Sequence, residues 1–226
     1  MQVLRQQTSL AEQVYEAIVD EICSGGLPAG AHLVQEQLAE RLGVSRQPVQ
    51  QAMTLLKADG MVEELGRRGL WVTRLDPDLM RHHYDIRAVL DGLAARMAAQ
   101  RVRVGFEPSF RTEADAILRR GEAAVARGDV AGQVRQDMAL HTLIYETSGN
   151  PLLARTAEPH WRFLRRAMGE VLRRATLPRE IWRQHADIVE AIAAGAPERA
   201  EALMVQHDLA AAVTLHDALA GHGGRP

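Results

Sequence analysis

Aromatic side chains make up only 4% of this 226-residue chain, and cysteine occurs once, at Cys23. One cysteine excludes an intrachain disulfide framework. No apolar run approaches the roughly 18 residues that a membrane span needs, and the opening "MQVLRQQTSL" lacks the apolar stretch of a secretory signal. A cytoplasmic protein with no membrane partner is expected. Positive charge is not in excess either: the formal net charge is -2, which removes any global attraction to polyanions. Residues 1–75 alone hold seven Lys or Arg (Arg5, Arg41, Arg46, Lys57, Arg67, Arg68, Arg74) against nine Asp or Glu. If nucleic acid is bound, it is the placement of cations on one face that does it.

What the chain has is helix-forming composition, with 46% apolar and 25% charged residues and abundant Ala and Leu. Its length suits two modest domains or one large one. In "SLAEQVYEAIVDEICS" Leu10, Val14, Ile18 and Ile22 recur every four residues, and "GGLPAG" ends that helix. "QEQLAERLG" places Leu38, Ala39 and Leu42 on one face and stops at Gly43. After a link of only "GVS", Val49, Ala52, Met53 and Leu56 mark the apolar face of a further helix. Ser45 is the expected N-cap, its hydroxyl accepting from the Gln47 amide, with Pro48 in the first turn where its missing N–H breaks no bond. Two short helices joined so tightly form a helix-turn-helix, whose second helix enters the major groove. "MVEELGRRGLWVTRL" then predicts two short strands around "GRRG", a β-hairpin wing with Arg67 and Arg68 at its tip.

"RLDPDL" breaks the pattern near residue 76, and helical periodicity then runs nearly to the end. The expected fold is mainly α: a winged helix-turn-helix over 1–75, a linker at 76–78, and an antiparallel all-α bundle of about six helices over 79–226. Leu79, Ile86, Leu90, Leu93 and Met97 step along its first helix. Gly128 with Asp129, and Gly149 with Asn150 and Pro151, punctuate later ones, while "TLPRE" and "AGAPER" each set a proline just inside a new helix.

Inside the bundle, four polar residues stand where apolar ones belong. Asp137 and His141 are i and i+4 on the stripe Val134, Asp137, Met138, His141, Ile144, Tyr145. His185 interrupts Ile181, Ile188 and Ile192, and His207 interrupts Leu203, Met204 and Ala211. A buried carboxylate demands a partner or a cation, and a metal centre of three histidines and one aspartate would satisfy all four. A hydrogen-bonded polar core is the plainer alternative, since a single histidine on an apolar stripe is more often that than a ligand. Such a set suits zinc, nickel, manganese or iron, and an octahedral ion would leave two positions for water or a chelating carboxylate. Arg87 could grip the far end of that effector; the alternative is an intrahelical Arg87–Asp91 pair on a solvated face. His32, His82, His83 and His222 read as surface residues, with His160 and His216 open.

The segments "LVQEQLAERLGVSRQPVQQAMTLLKADGMVEELGRRGLWV", "DIRAVLDGLAARMAA", "DMALHTLIYETSGNPLL", "QHADIVEAI" and "MVQHDLAAAV" resemble, in order, the winged-helix domain of GntR-family bacterial transcription regulators and the FCD effector-binding domain of their FadR-like branch. The resemblance implies a regulator, not an enzyme: a homodimer on a short palindromic operator of double-stranded DNA whose grip changes when a metabolite, often an organic acid, enters the bundle. It also implies a divalent metal held by an Asp-x₃-His pair and two later histidines, here Asp137, His141, His185 and His207, with zinc the first expectation. DNA contacts fall to Ser45, Arg46, Gln47 and Gln50 on the helix and to Arg67, Arg68 and Gly69 in the wing. At Gln50 relatives usually carry arginine; arginine matches guanine and glutamine matches adenine, so the operator should differ. A metal-dependent bundle enzyme and a direct metal sensor are the competing functions, the first opposed by the helix-turn-helix and by the lack of an evident acid or base beside the four residues.

Overall fold

The computed structural model describes residues 9–65, 69–172 and 178–220. The chain divides into two compact units, Met1–Leu75 and Asp76–Pro226. In the first, helices α1 (Leu10–Ser24), α2 (Gln35–Leu42) and α3 (Arg46–Ala58) accompany strands β1 (His32–Leu33), β2 (Val62–Glu64) and β3 (Leu70–Val72). The strands form one antiparallel sheet in the order β1-β3-β2. The hairpin is therefore present, with Val62 opposite Val72 and Glu64 opposite Leu70. β1, too short to show a period in the sequence, adds a third strand beside Trp71 and Leu70. Arg67 and Arg68 lie outside the described residues.

α1 begins with a reciprocal capping box, Glu12 N–H donating to Ser9 Oγ at 3.2 Å and Ser9 N–H to Glu12 Oε2 at 2.7 Å. Val14, Ile18 and Ile22 are buried as the spacing requires, but Leu10 is exposed, and in the first turn it is Ala11 that faces the core. Leu38 and Ala39 of α2 are buried, whereas Leu42, in the last turn before Gly43, is exposed. The apolar face of α3 is the centre of this unit: Val49, Ala52, Met53 and Leu56 are almost wholly buried, and Tyr15 Oη donates to Asp59 Oδ2 at 2.7 Å, tying α1 to the end of α3. Ser45 is the N-cap residue, yet its hydroxyl makes no capping bond. The expected Ser45–Gln47 contact is absent, which leaves that hydroxyl on the surface.

The second unit is a bundle of six helices: α4 (Pro77–Arg103), α5 (Phe110–Arg127), α6 (Val130–Ser148), α7 (Pro151–Leu172), α8 (Pro178–Ala193) and α9 (Pro197–Ala220). α4 starts at Pro77 with Asp76 as its cap, Oδ1 accepting from Asp78 N–H at 2.9 Å. The helix is thus already under way through 76–78. α4 is the central member, packed on α6, α7, α8 and most extensively α9. Its core face differs from the expected stripe. Met80, Tyr84, Arg87, Ala88, Asp91, Gly92, Ala94, Ala95, Ala98 and Ala99 are buried, while Leu79 and Ile86 are 44% and 47% exposed. Small residues win because four helices crowd this face: a Cβ on Gly92 would lie 2.6 Å from Val205 Cγ2. Leu79 and Ile86 are turned away from it, while Leu90, Leu93 and Met97 are half-buried at its edge.

Gly121 of α5 faces the buried indole of Trp182 on α8, which occupies the volume a Cβ would need. Gly121→Ala should gain up to about 1 kcal/mol in helix propensity and lose about 1–3 kcal/mol to overpacking against a ring that has nowhere to move. The expected net result is a lower thermal midpoint. A raised midpoint would show that the indole does not rest on this glycine.

Candidate metal centre and effector pocket

Three helices of the bundle deliver the four polar residues. α6 is anchored by Asp129, whose Oδ1 accepts from Gly132 N–H at 2.8 Å, and it presents Asp137 and His141 one turn apart on its buried side. α8 contributes His185 and α9 His207. Asp137, His141, His185 and His207 each offer a donor atom, all within 4.8 Å of one another, and all four residues are buried. The stripes therefore converge, which the sequence could only suggest.

His185 Nε2 lies 3.1 Å from His207 Nε2 and 3.3 Å from Asp137 Oδ1. Two ligands about 2.0–2.1 Å from a tetrahedral zinc would sit roughly 3.3 Å apart, so these edges already suit a shared cation. Asp137 Oδ2 is buried without a hydrogen-bond partner, an unsatisfied oxygen that a cation would satisfy. Gln184 Oε1 is 2.9 Å from His207 Nδ1, accepting that proton and leaving Nε2 as the lone pair. His185 departs from this pattern: its Nδ1 has no partner. With that exception the donor set fits a divalent transition ion.

Arg87 of α4 is buried beside this cluster, 1% exposed. Its Nε donates to Asp91 Oδ2 at 2.8 Å, so the intrahelical pair exists, but it is deep in the bundle and not on a solvated face. The reason is the displaced core face of α4. Nη2 of Arg87 is 2.9 Å from His141 Nε2, and Asp91 Oδ2 is 2.9 Å from His141 Nδ1. His141 thus gives Nδ1–H to Asp91 and offers Nε2 to Arg87 or to a metal. Asp208 Oδ1 stands 3.3 Å from the same Nη2. The guanidinium also stacks over Trp161, 3.8 Å from the ring centroid. Trp161 Nε1–H donates to Tyr145 Oη at 3.0 Å, and Tyr145 donates in turn to Asp91. Sequence reasoning missed Tyr145, Trp161, Gln184 and Asp208 as site residues. Asp208 carried the only signal, a second acid beside His207 on an Ala-rich helix.

The electrostatics favour lone pairs on the imidazoles. Burial, reinforced by the Arg87 charge, holds His141 below the ordinary histidine range, and burial with the neighbouring His185 and His141 drives His207 well below it. Burial alone would raise the Asp137 and Asp91 carboxyls. Against it, the contact and charge of His185 with the charges of His141 and Arg87 hold Asp137 low, and Arg87, His141 and Tyr145 do the same for Asp91. Asp208 goes the other way: burial, with Asp91 and Asp137 close by, outweighs Arg87 and pushes its carboxyl well above the usual range.

Elsewhere, His83 is half-buried and not a surface residue: its ring stacks on Phe163 at 4.3 Å and its Nδ1 meets His160 Nδ1 at 2.9 Å. Both were drawn in because α7 packs against α4. His216 lies 3.7 Å from Asp78 and 3.4 Å from Asp217, His32 and His82 are exposed, and His222 lies outside the described residues. In the first unit Ser45, Arg46, Gln47 and Gln50 are all exposed on the first turns of α3. Arg46 is ion-paired with Glu36 of α2. Gly69 has φ +96°, and a Cβ there would lie 2.7 Å from His32 Nε2, so the wing requires glycine for conformation as well as space.

Comparison with known proteins agrees with both units. Residues 10–72 match the family "Bacterial regulatory proteins, gntR family", and residues 82–211 match the FCD domain. The chain is 30% identical over 204 residues to the "Probable D-xylose utilization operon transcriptional repressor" of Paenarthrobacter nicotinovorans, spanning 89% of this chain and 86% of that one. It is 27% identical to the Glc operon transcriptional activator of Escherichia coli K12, spanning 94% and 92%. Among solved structures, E. coli McbR/YncC superposes with a TM-score of 0.80 at 21% identity, over 93% of this chain and 99% of that one. A GntR regulator from Rhodococcus sp. RHA1 gives 0.75 at 22%, over 92% and 98%. The chain belongs to the GntR family of transcriptional regulators, in the FadR-like branch with a C-terminal FCD domain.

Tag-free protein purified without chelator should carry about one transition metal per chain by elemental analysis, and the His141→Ala, His185→Ala double variant should carry none. Metal-free wild-type protein that takes up no zinc on addition would leave the four residues as a hydrogen-bonded polar core.

Proposed function

We propose that this GntR-family chain is a homodimeric, cytoplasmic regulator whose hold on a palindromic operator is set by an organic acid bound at a metal in the FCD bundle. The observation that carries the reading is the convergence of four buried donor atoms within 4.8 Å of one another, next to a buried arginine, in a chain that begins with a winged helix. Asp137, His141, His185 and His207 would hold the ion, zinc before nickel, manganese or iron given the nitrogen-rich set. The metal supplies a Lewis acid on which a carboxylate can be held.

Charge supports the order of events. Asp91 and Asp137 are held low beside the single guanidinium of Arg87, while Asp208 is pushed up. A pocket with two acidic carboxyls and one guanidinium favours a divalent cation over an anion, and a bound cation would in turn attract a carboxylate. Arg87 would take the far oxygen. Its Nη2 cannot keep the His141 Nε2 lone pair if the metal holds it, and Asp208 stands 3.3 Å away to receive that donor. The direct comparison is operator binding by the metal-free, metal-loaded and metal-plus-carboxylate protein. A response to metal alone, unchanged by any carboxylate, would make the ion the signal instead.

On DNA, α3 would lie in the major groove, with Ser45, Arg46, Gln47 and Gln50 toward bases and phosphates and the wing residues Arg67, Arg68 and Gly69 toward the backbone or minor groove. Arg46→Ala should weaken operator binding by about 1–3 kcal/mol if it reads a base, and equal losses on operator and random duplex would reject base readout. Gln50→Arg should shift the preferred base from adenine toward guanine; a selection experiment returning the same operator would refute that role. Glu36 competes with DNA for Arg46, so Glu36→Gln should tighten binding several-fold at low salt and less at high salt. Unchanged affinity at low salt would mean that Glu36 does not compete with DNA for Arg46.

A further inference from the structure

The metal-side cavity holds about 40 Å³ and is lined on its polar side by Tyr84, Arg87, Gln133, Asp137 and His207. A second cavity of about 80 Å³ lies between α7, α8 and α9. Leu172, Ile181, Ala211 and Leu215 line both, so the two chambers are neighbours separated by a collar of four aliphatic side chains. Beyond the collar the walls add Val171 and Ala210, with Thr214, Gln184 and Glu180 as the polar members. Apart from His207, Arg87 is the only cationic side chain among the described residues of the two linings. Glu180, ion-paired to Arg183 at 2.6 Å, puts a carboxylate on the outer wall.

From this arrangement we propose that the effector is an amphipathic monocarboxylate: an acid head at the metal and Arg87, and a short hydrocarbon tail passing the Leu172–Ile181–Ala211–Leu215 collar into the outer chamber. The inference rests on the metal-and-carboxylate reading above and narrows it. A dicarboxylate or a sugar acid is disfavoured on two counts. Its second polar end would have to cross four aliphatic side chains with no donor among them, and it would then face Glu180 with no cationic side chain among the described residues of the outer lining. An alkyl chain meets the opposite conditions. Since a water-sized group needs roughly 10–15 Å³ of such space, the outer chamber takes on the order of five methylene-sized groups. A tail of about four to six carbons fills it. The same three helices that carry the collar include the two that carry His185 and His207, so tail and head bind one rigid set of walls.

The test is calorimetric titration of the zinc-loaded full chain with acetate, butanoate, hexanoate and succinate, repeated on metal-free protein. The expected result is about fourfold tighter binding per added methylene, the factor that transfer of one CH₂ from water supplies, with succinate weaker than butanoate. Ala211→Leu, which narrows the collar, should collapse the hexanoate-to-acetate ratio toward one. Leu215→Ala, which widens it, should carry the gain on to octanoate, and it serves if the first variant does not fold. Length dependence that survives without metal would uphold the tail chamber while removing the metal from effector binding. Succinate binding the zinc-loaded chain with no gain from added methylenes would keep the metal-carboxylate reading and overturn this inference. No binding of any acid in either form would overturn both.

Discussion

A guanidinium that is almost completely shielded from water must be compensated, and Arg87 is that group. Removing one ion from water costs several kcal/mol even after relaxation, a sum recovered only by close opposite charge and full hydrogen bonding. Asp91 one turn along α4, Asp208 from α9, His141 from α6 and the Trp161 face from α7 enclose it. Four of the six bundle helices are thereby committed to one side chain. The small residues of α4 follow from the same requirement, since Ala and Gly positions are what let those helices come close enough to reach it.

That enclosure leaves an imbalance that shapes the rest of the site. Three carboxyls share one arginine, and the interior divides them, pushing Asp208 up while holding Asp91 and Asp137 low. Asp137 is the less satisfied of the two, with one oxygen near His185 and the other without a partner. Near it, burial and the Arg87 charge hold His141 low, and burial with the neighbouring histidines holds His207 low. Histidine nitrogens gathered round an unsatisfied carboxylate oxygen form a cation site by composition as well as by distance. Arg87 and His141 both bridge this polar centre and the Trp161 ring, and Arg87 also reaches the Tyr84 ring.

The N-terminal unit solves a smaller problem. Its core is the buried side of α3, and its exposed side is consequently held in one orientation by α1, α2 and the three-stranded sheet. Positioning of Ser45, Arg46, Gln47 and Gln50 thus comes from the burial of Val49, Ala52, Met53 and Leu56 on the opposite face. The Arg46–Glu36 pair adds a local competitor for phosphate at little cost to stability, because exposed ion pairs contribute little to folding.

How much of this was legible in the residues depends on range. The helix starts at Pro151, Pro178 and Pro197, the glycine stops and the face of α3 are written in local chemistry: a proline without an N–H, a glycine free to take positive φ, a 3.6-residue period. The same period exposed Asp137, His141, His185 and His207 as polar interruptions of apolar stripes, so four donors could be named before any distance was known. Where α4 turns its face was not legible. Large aliphatics at Leu79, Ile86, Leu90, Leu93 and Met97 mark a hydrophobic stripe, but four neighbouring helices select small residues and a charge cluster instead. The Ser45 cap, the half-burial of His83 and the roles of Asp208, Tyr145 and Gln184 were decided there too. Local sequence determined which segments are helices and which residues break their pattern, because those preferences act within a few residues. Only the packing of distant helices decided which of those residues meet, since a hydrogen bond or an ion pair forms only where the fold closes the last few ångströms.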